Sequence, residues 1–203
     1  MAKKGLTELV FVIDKSGSMT GLESDTVGGY NSLLKSNREG EGEALVSTAL
    51  FDNDARILHD RVPIEQVRPL SERDYVPGGC TALLDAVGGA IRYHERVQKI
   101  LPEPLRPERT LVCIATDGYE NASKKYTYPQ VKHMIDAARE RGWEFLFLGA
   151  NIDAAAEAGK LGIDAECTVE FAASPMGCAV AFDEMRLASA VVRRGGTVAR
   201  RRG

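Results

Sequence analysis

Residues 10–19 read VFVIDKSGSM: the apolar run Val10-Phe11-Val12-Ile13 ends in Asp14, and Ser16 and Ser18 follow at alternate positions around Gly17. A run of this kind reads as a strand buried on both faces, the pattern of a parallel sheet covered by helices. In such sheets ligands sit where the strands' carboxyl ends meet the loops. A carboxylate and two hydroxyls at that rim are three hard oxygen donors, suited to a hard cation such as Mg²⁺.

Further runs repeat the theme. Residues 44–51, 110–116, 145–150 and, more weakly, 167–171 read as buried strands. Residues 55–64 follow the turn-forming cluster Asp52-Asn53-Asp54, which predicts a hairpin and hence an antiparallel strand at one edge. Between the runs, apolar residues recur at helical spacing over 26–38, 82–101 and 128–141, with Gly142 as a stop; 153–160 and 177–194 read as shorter or small-residue helices. Alternating strands and helices predict an α/β, doubly wound, mostly parallel six-stranded sheet with helices on both faces.

Length and charge bound the rest. The chain has 203 residues and 44% hydrophobic composition, enough for one domain with a substantial core. The single domain is expected over 1–192. Residues 193–203 are expected to form a disordered basic tail holding Arg193, Arg194, Arg200, Arg201 and Arg202 with no acid. Without those five charges the body carries −8, against −3 for the whole chain. An acidic body is unlike a nucleic-acid binder, whose basic residues form a stripe across the fold. Cys80, Cys113, Cys167 and Cys178 form no CxxC pair and read as thiols in a reducing compartment. The apolar stretch near the N-terminus is too short for a signal peptide, and no run is long enough to cross a bilayer, so a cytoplasmic protein is expected.

Two later segments supply matching donors. GGCTALLDAV (78–87) opens a helix with Thr81 after Gly78-Gly79, and TLVCIATDGYEN (110–121) ends a strand at Thr116-Asp117-Gly118. Taken singly, Asp14 and Ser16 read as helix caps and Asp117-Gly118 as a turn. Taken together they read as a cation site. D-x-S-x-S, a threonine opening a helix after Gly-Gly, and an apolar strand ending T-D-G resemble the metal-ion-dependent adhesion site (MIDAS) of von Willebrand factor type A domains, across roughly residues 7–172.

The resemblance implies Ser16 and Ser18 as direct ligands of Mg²⁺, with Ca²⁺ or Mn²⁺ as alternatives. It implies Thr81 bound directly or through water, and Asp14 and Asp117 holding metal-bound waters or one of them approaching directly. It implies a protein partner that supplies an Asp or Glu to the metal, and a small stand-alone bacterial protein working beside an AAA+ ATPase or a stress- or phage-related complex. A last helix that slides when ligand engages is a further implication. Met19-Thr20-Gly21-Leu22 lacks the extra acids of a neighbouring calcium site, so one metal is expected.

Around this set, Lys15 is expected to face solvent, Glu120 and Asn121 to line a partner surface or a solvated loop, and Cys80 to be incidental. Asp85 is a candidate support for the site through hydrogen bonds. His59, His94 and His133 read as surface histidines, none near a strand's carboxyl end, so a Ser-His-Asp arrangement lacks a base and no enzyme is expected. No GxxxxGK[ST] or post-strand GxGxxG occurs. Two alternatives to a metal-dependent binding module stay open: an RNA-associated module using residues 193–203, and metal-assisted hydrolysis.

Overall fold

The computed structural model describes residues 2–199. Strands β1 (Lys3–Asp14), β2 (Ala44–Phe51), β3 (Ala55–Pro63), β4 (Pro107–Thr116), β5 (Trp143–Ala150) and β6 (Thr168–Phe171) alternate with helices α1 (Glu23–Arg38), α2 (Leu83–Ile100), α3 (Tyr128–Glu140), α4 (Ala154–Lys160) and α5 (Pro175–Arg193). The sheet order is β3-β2-β1-β4-β5-β6. All neighbours are parallel except β2 and β3, the expected hairpin at one edge.

Side-chain alternation explains why the apolar runs are continuous. Leu9, Phe11 and Ile13 of β1 face α1 and α5, where they meet Tyr30, Leu33, Phe182 and Met185. Val10 and Val12 face the opposite layer, with Leu83 and Val87 of α2, Ile135 of α3 and Ala158 of α4. A strand covered on both sides must be apolar at every position, because neither set of side chains reaches water. In β1 this holds from Leu9 to Ile13; the buried Thr7 and Glu8 precede that run, and Asp14 closes it at the rim. The strand also starts earlier than its apolar run: Lys3 pairs with Pro107 before the register shifts ahead of Thr7.

Helix ends follow their local chemistry. Thr127 and Gln130 form a reciprocal capping box on α3. Gly142, at φ +84°, ends the same helix in the left-handed region open to glycine. Ser174 caps α5 by accepting the Gly177 N–H at 3.1 Å, and Pro175 opens it. Helix α1 packs on α5 at Gly29, where a Cβ would lie 2.3 Å from the Phe182 ring.

The expected tail does not start at residue 193. Arg193 is the last residue of α5 and only 8% exposed; Nη1 donates to Asn37 O, and Nη2 donates to Gly40 O at 3.2 Å and Gly42 O at 2.7 Å. Val198 is fully buried, and its N–H donates to Glu144 Oε2 at 2.8 Å. The helix expected over 177–194 thus prevails over the tail reading at Arg193, whose guanidinium finds acceptors in the α1–β2 loop that no sequence window displays. Arg200, Arg201 and Arg202 lie outside the described residues.

Two histidines are also more deeply placed than expected. His59 is buried against Tyr30 and Thr48, and burial holds its pKa below the usual value. His94 is buried with Nδ1 3.1 Å from Glu8 Oε1. His133 alone is exposed. Among the described residues, no helix is long and apolar enough to cross a membrane.

Candidate metal centre

The five candidate residues come from three segments that the fold brings to one rim. Asp14 ends β1 and Thr116 ends the adjacent β4, since Ile13 pairs with Ala115. Asp14 Oδ2 accepts the Thr116 hydroxyl at 2.6 Å, and Oδ1 accepts the Ser16 N–H at 2.7 Å. The Ser16 and Ser18 hydroxyl oxygens lie 3.1 Å apart, and Ser18 Oγ donates to Asp117 Oδ1 at 2.7 Å. Thr81 joins from the other side: a Cβ at Gly118 would sit 3.2 Å from Thr81 Oγ1 and 3.9 Å from Ser18 Oγ. Glycine at 118 keeps the space over these hydroxyls clear.

The charge at this rim is unbalanced. Asp14 and Asp117 are 1% and 3% exposed, and among the described residues neither enters an ion pair. Burial pushes both carboxyls above the usual range; at Asp14 the neighbouring Asp117 adds to the rise, while Thr116 and Ser16 oppose it. Asp117 Oδ2 is buried with no hydrogen-bond partner. An orphaned carboxylate oxygen in a protein interior is costly unless something positive meets it.

A hard divalent cation fits that vacancy of charge and the oxygen-only donor set. Asp14, Ser16, Ser18, Thr81 and Asp117 would hold it. Among the described residues, no cluster of three or more His, Cys, Asp or Glu side chains suits a metal, so a candidate site here depends on hydroxyls beside two acids.

The surrounding loops are tied to one another. Gly17 N–H donates to Gly79 O at 3.1 Å, and Gly78 N–H to Lys15 O at 2.9 Å, which joins the D-x-S-x-S loop to the Thr81 segment. Gly79 adopts φ +73° against the Asn53 side chain, whose Oδ1 accepts the Cys80 N–H at 2.9 Å. The Tyr75 hydroxyl donates to Asp14 O at 2.6 Å from below. Lys15 does not face solvent: it is paired with Asp52, because the hairpin turn sets that carboxylate beside the loop.

The side chains of Glu120 and Asn121 bond back to the Thr81 segment, although Asn121 itself stays exposed and Glu120 half-buried. Glu120 Oε2 accepts the Leu84 N–H at 2.9 Å, and Asn121 Oδ1 accepts the Thr81 N–H at 2.8 Å. Asp85 gives its support indirectly, accepting the N–H groups of Lys124, Lys125 and Tyr126 at 2.8–2.9 Å. The sequence placed Thr116 at the strand end and Asn53 in the hairpin turn without assigning either to the site, and Tyr75 drew no reading. Thr116 carried a signal, since it precedes Asp117 in the T-D-G run; the other two carried none.

No family model matches the chain, and no curated protein matches it. Solved structures do. Proximal thread matrix protein 1 from the mussel byssus, solved with a zinc-occupied MIDAS motif, superposes with TM-score 0.62 at 18% identity over 91% of this chain and 46% of that one. A von Willebrand factor type A structure from Catenulispora acidiphila gives 0.61 at 14% identity, over 94% and 43%. Manganese-loaded TRAP protein from Plasmodium vivax gives 0.58 at 15% identity, over 90% and 74%. The chain thus spans less than half the length of the first two. These likenesses establish the fold as that of von Willebrand factor type A domains.

Proposed function

We propose that the chain is a metal-dependent protein-binding module whose divalent cation, Mg²⁺ in the cell, is held by Asp14, Ser16, Ser18, Thr81 and Asp117. The buried, partnerless Asp117 Oδ2 beside the Ser16–Ser18 hydroxyl pair carries this reading. Structural neighbours described as zinc-occupied and manganese-loaded lend it support.

The site's two acids formally match a divalent ion, but where the neutral hydroxyls and not the carboxylates touch the ion, its charge stays only partly offset in direct contact. Ser16 and Ser18 would orient lone pairs, Asp14 and Asp117 would supply negative charge, and an Asp or Glu carboxylate from a partner protein would approach past the exposed Ser18. Binding is favoured over hydrolysis, because His59 and His94 are buried in other networks and His133 stands on α3, leaving no histidine base at the rim. None of the four cysteines forms a disulfide, which suits a reducing compartment such as the cytoplasm. A bacterial adaptor working beside an AAA+ ATPase or a stress- or phage-related assembly is the corresponding cellular role.

Calorimetric titration with MgCl₂ and MnCl₂ tests the site: one ion per chain is expected in the wild type and none in Asp117→Ala. Water-proton relaxation of the Mn²⁺-loaded protein then tests the open position. Relaxation should fall on adding an acetylated glutamate peptide and stay constant with the glutamine counterpart. Absence of ion uptake by the folded wild type would overturn the proposal.

A further inference from the structure

Helix α2 begins without a cap of its own. Ala82 precedes Leu83 and has no side-chain acceptor, although the first amides of a helix need partners. Those partners come from the loop after β4. Glu120 Oε2 accepts from Leu84 N–H at 2.9 Å, and Ser123 Oγ accepts from Asp85 N–H at 2.9 Å. Asn121 grips Thr81 twice: its Oδ1 accepts the Thr81 N–H at 2.8 Å, and its own N–H donates to Thr81 O at 3.0 Å.

The loop is braced in turn. Glu120 Oε1 accepts the N–H groups of Ala122 and Ser123 at 2.9 and 2.7 Å, and Ser123 Oγ donates to Glu120 Oε2 at 2.8 Å. Asp85, from the first turn of α2, accepts three backbone amides of the same loop. Bonds therefore run both ways between the segment bearing Thr81 and the segment bearing Asp117.

We infer that Glu120 and Asn121 are positioning residues that fix Thr81 relative to Asp117 and so make the site selective for ion size. The inference rests on the metal-site reading given above. Mg²⁺ requires near-ideal octahedral geometry at short distances, whereas Ca²⁺ accepts longer and more variable ones. A strut that holds two donors at fixed separation favours the small ion; a loosened strut costs Mg²⁺ affinity and spares Ca²⁺. The outer partners of metal ligands typically matter by about 10- to 100-fold in affinity.

The test compares Mg²⁺ and Ca²⁺ dissociation constants by calorimetry for the wild type, Asn121→Ala, Glu120→Ala and the conservative Glu120→Gln. The alanine variants should lose about 10-fold or more in Mg²⁺ affinity and clearly less in Ca²⁺ affinity, with Glu120→Gln, which keeps one acceptor oxygen, falling between Glu120→Ala and the wild type. Equal losses for both ions, or an unchanged ratio, would overturn the strut while leaving the metal site standing. A wild type that takes up neither ion overturns both. Should the alanine variants not fold, hydrogen exchange on the metal-free wild type decides: the Thr81 and Leu84 amides must be protected, and rapid exchange there sinks the inference.

Discussion

Thr116 Oγ1 lies 2.6 Å from Asp14 Oδ2, a side-chain bond across the ends of β4 and β1 that completes the pairing of the two strands. With the Ser16 amide on the other oxygen, it gives each Asp14 oxygen one neutral donor while Asp117 keeps one oxygen unmet. The two acids at the rim are therefore unequal.

Thr116→Val keeps the shape and removes the donor, stranding a buried carboxylate oxygen. Chemical denaturation in EDTA at neutral pH should show a loss of about 1–3 kcal/mol. Thr116→Ser, which restores the hydroxyl, should recover most of it.

The raised pKa values of Asp14 and Asp117 set a second expectation. The folded, metal-free chain holds these protons more tightly than the unfolded chain. Its stability should fall as pH rises from the ordinary aspartate value through the raised folded values. At neutral pH in EDTA, Asp117→Asn should melt above the wild type. With millimolar Mg²⁺ the order should reverse, because the ion stabilises only the chain that binds it.

Glu8 behaves oppositely. Burial, the largest influence, raises its carboxyl, yet His94, Arg61 and Gln98 together outweigh burial and hold it below the usual value. Stability from this group is present above the unfolded pKa and lost as pH falls through the depressed folded one. Below about pH 4, the wild type should lose its advantage over Glu8→Gln in thermal melts. A constant gap across that range would show that the network contributes no pH-linked stability.

Adjacent glycines of α1 should respond with opposite signs. Nothing lies within 4 Å of a Cβ at Gly28, so Gly28→Ala should gain up to about 1 kcal/mol from helix propensity. Gly29→Ala drives a methyl into the Phe182 ring and should cost about 1–3 kcal/mol. Denaturant midpoints of the two variants measure both.

The strands and the clustering of candidate oxygen donors at one rim were legible because their signals are local. Apolar runs covered on two faces, a carboxylate where a run stops, and hydroxyls two residues apart all lie within single windows. What stayed hidden depends on partners distant in sequence. Asn121 resembles an ordinary loop residue until the fold sets it against Thr81, 40 positions earlier. His94 looks like a surface residue of α2 until Glu8 of β1 lies beneath it. Arg193 reads as part of a basic tail, yet its acceptors are carbonyls more than 150 residues away. Charge patterns cannot reveal a buried cation whose partners are backbone oxygens.

Arg193 also bears on whether α5 can travel. A shift of one helical turn, about 5.4 Å, would drag the guanidinium off Asn37, Gly40 and Gly42 and leave a desolvated cation facing nothing. The helix is moored at its stern, and any such slide must first slip that rope. Arg193→Met casts it off, and amide exchange along the last turns of α5 is where the release should first be read.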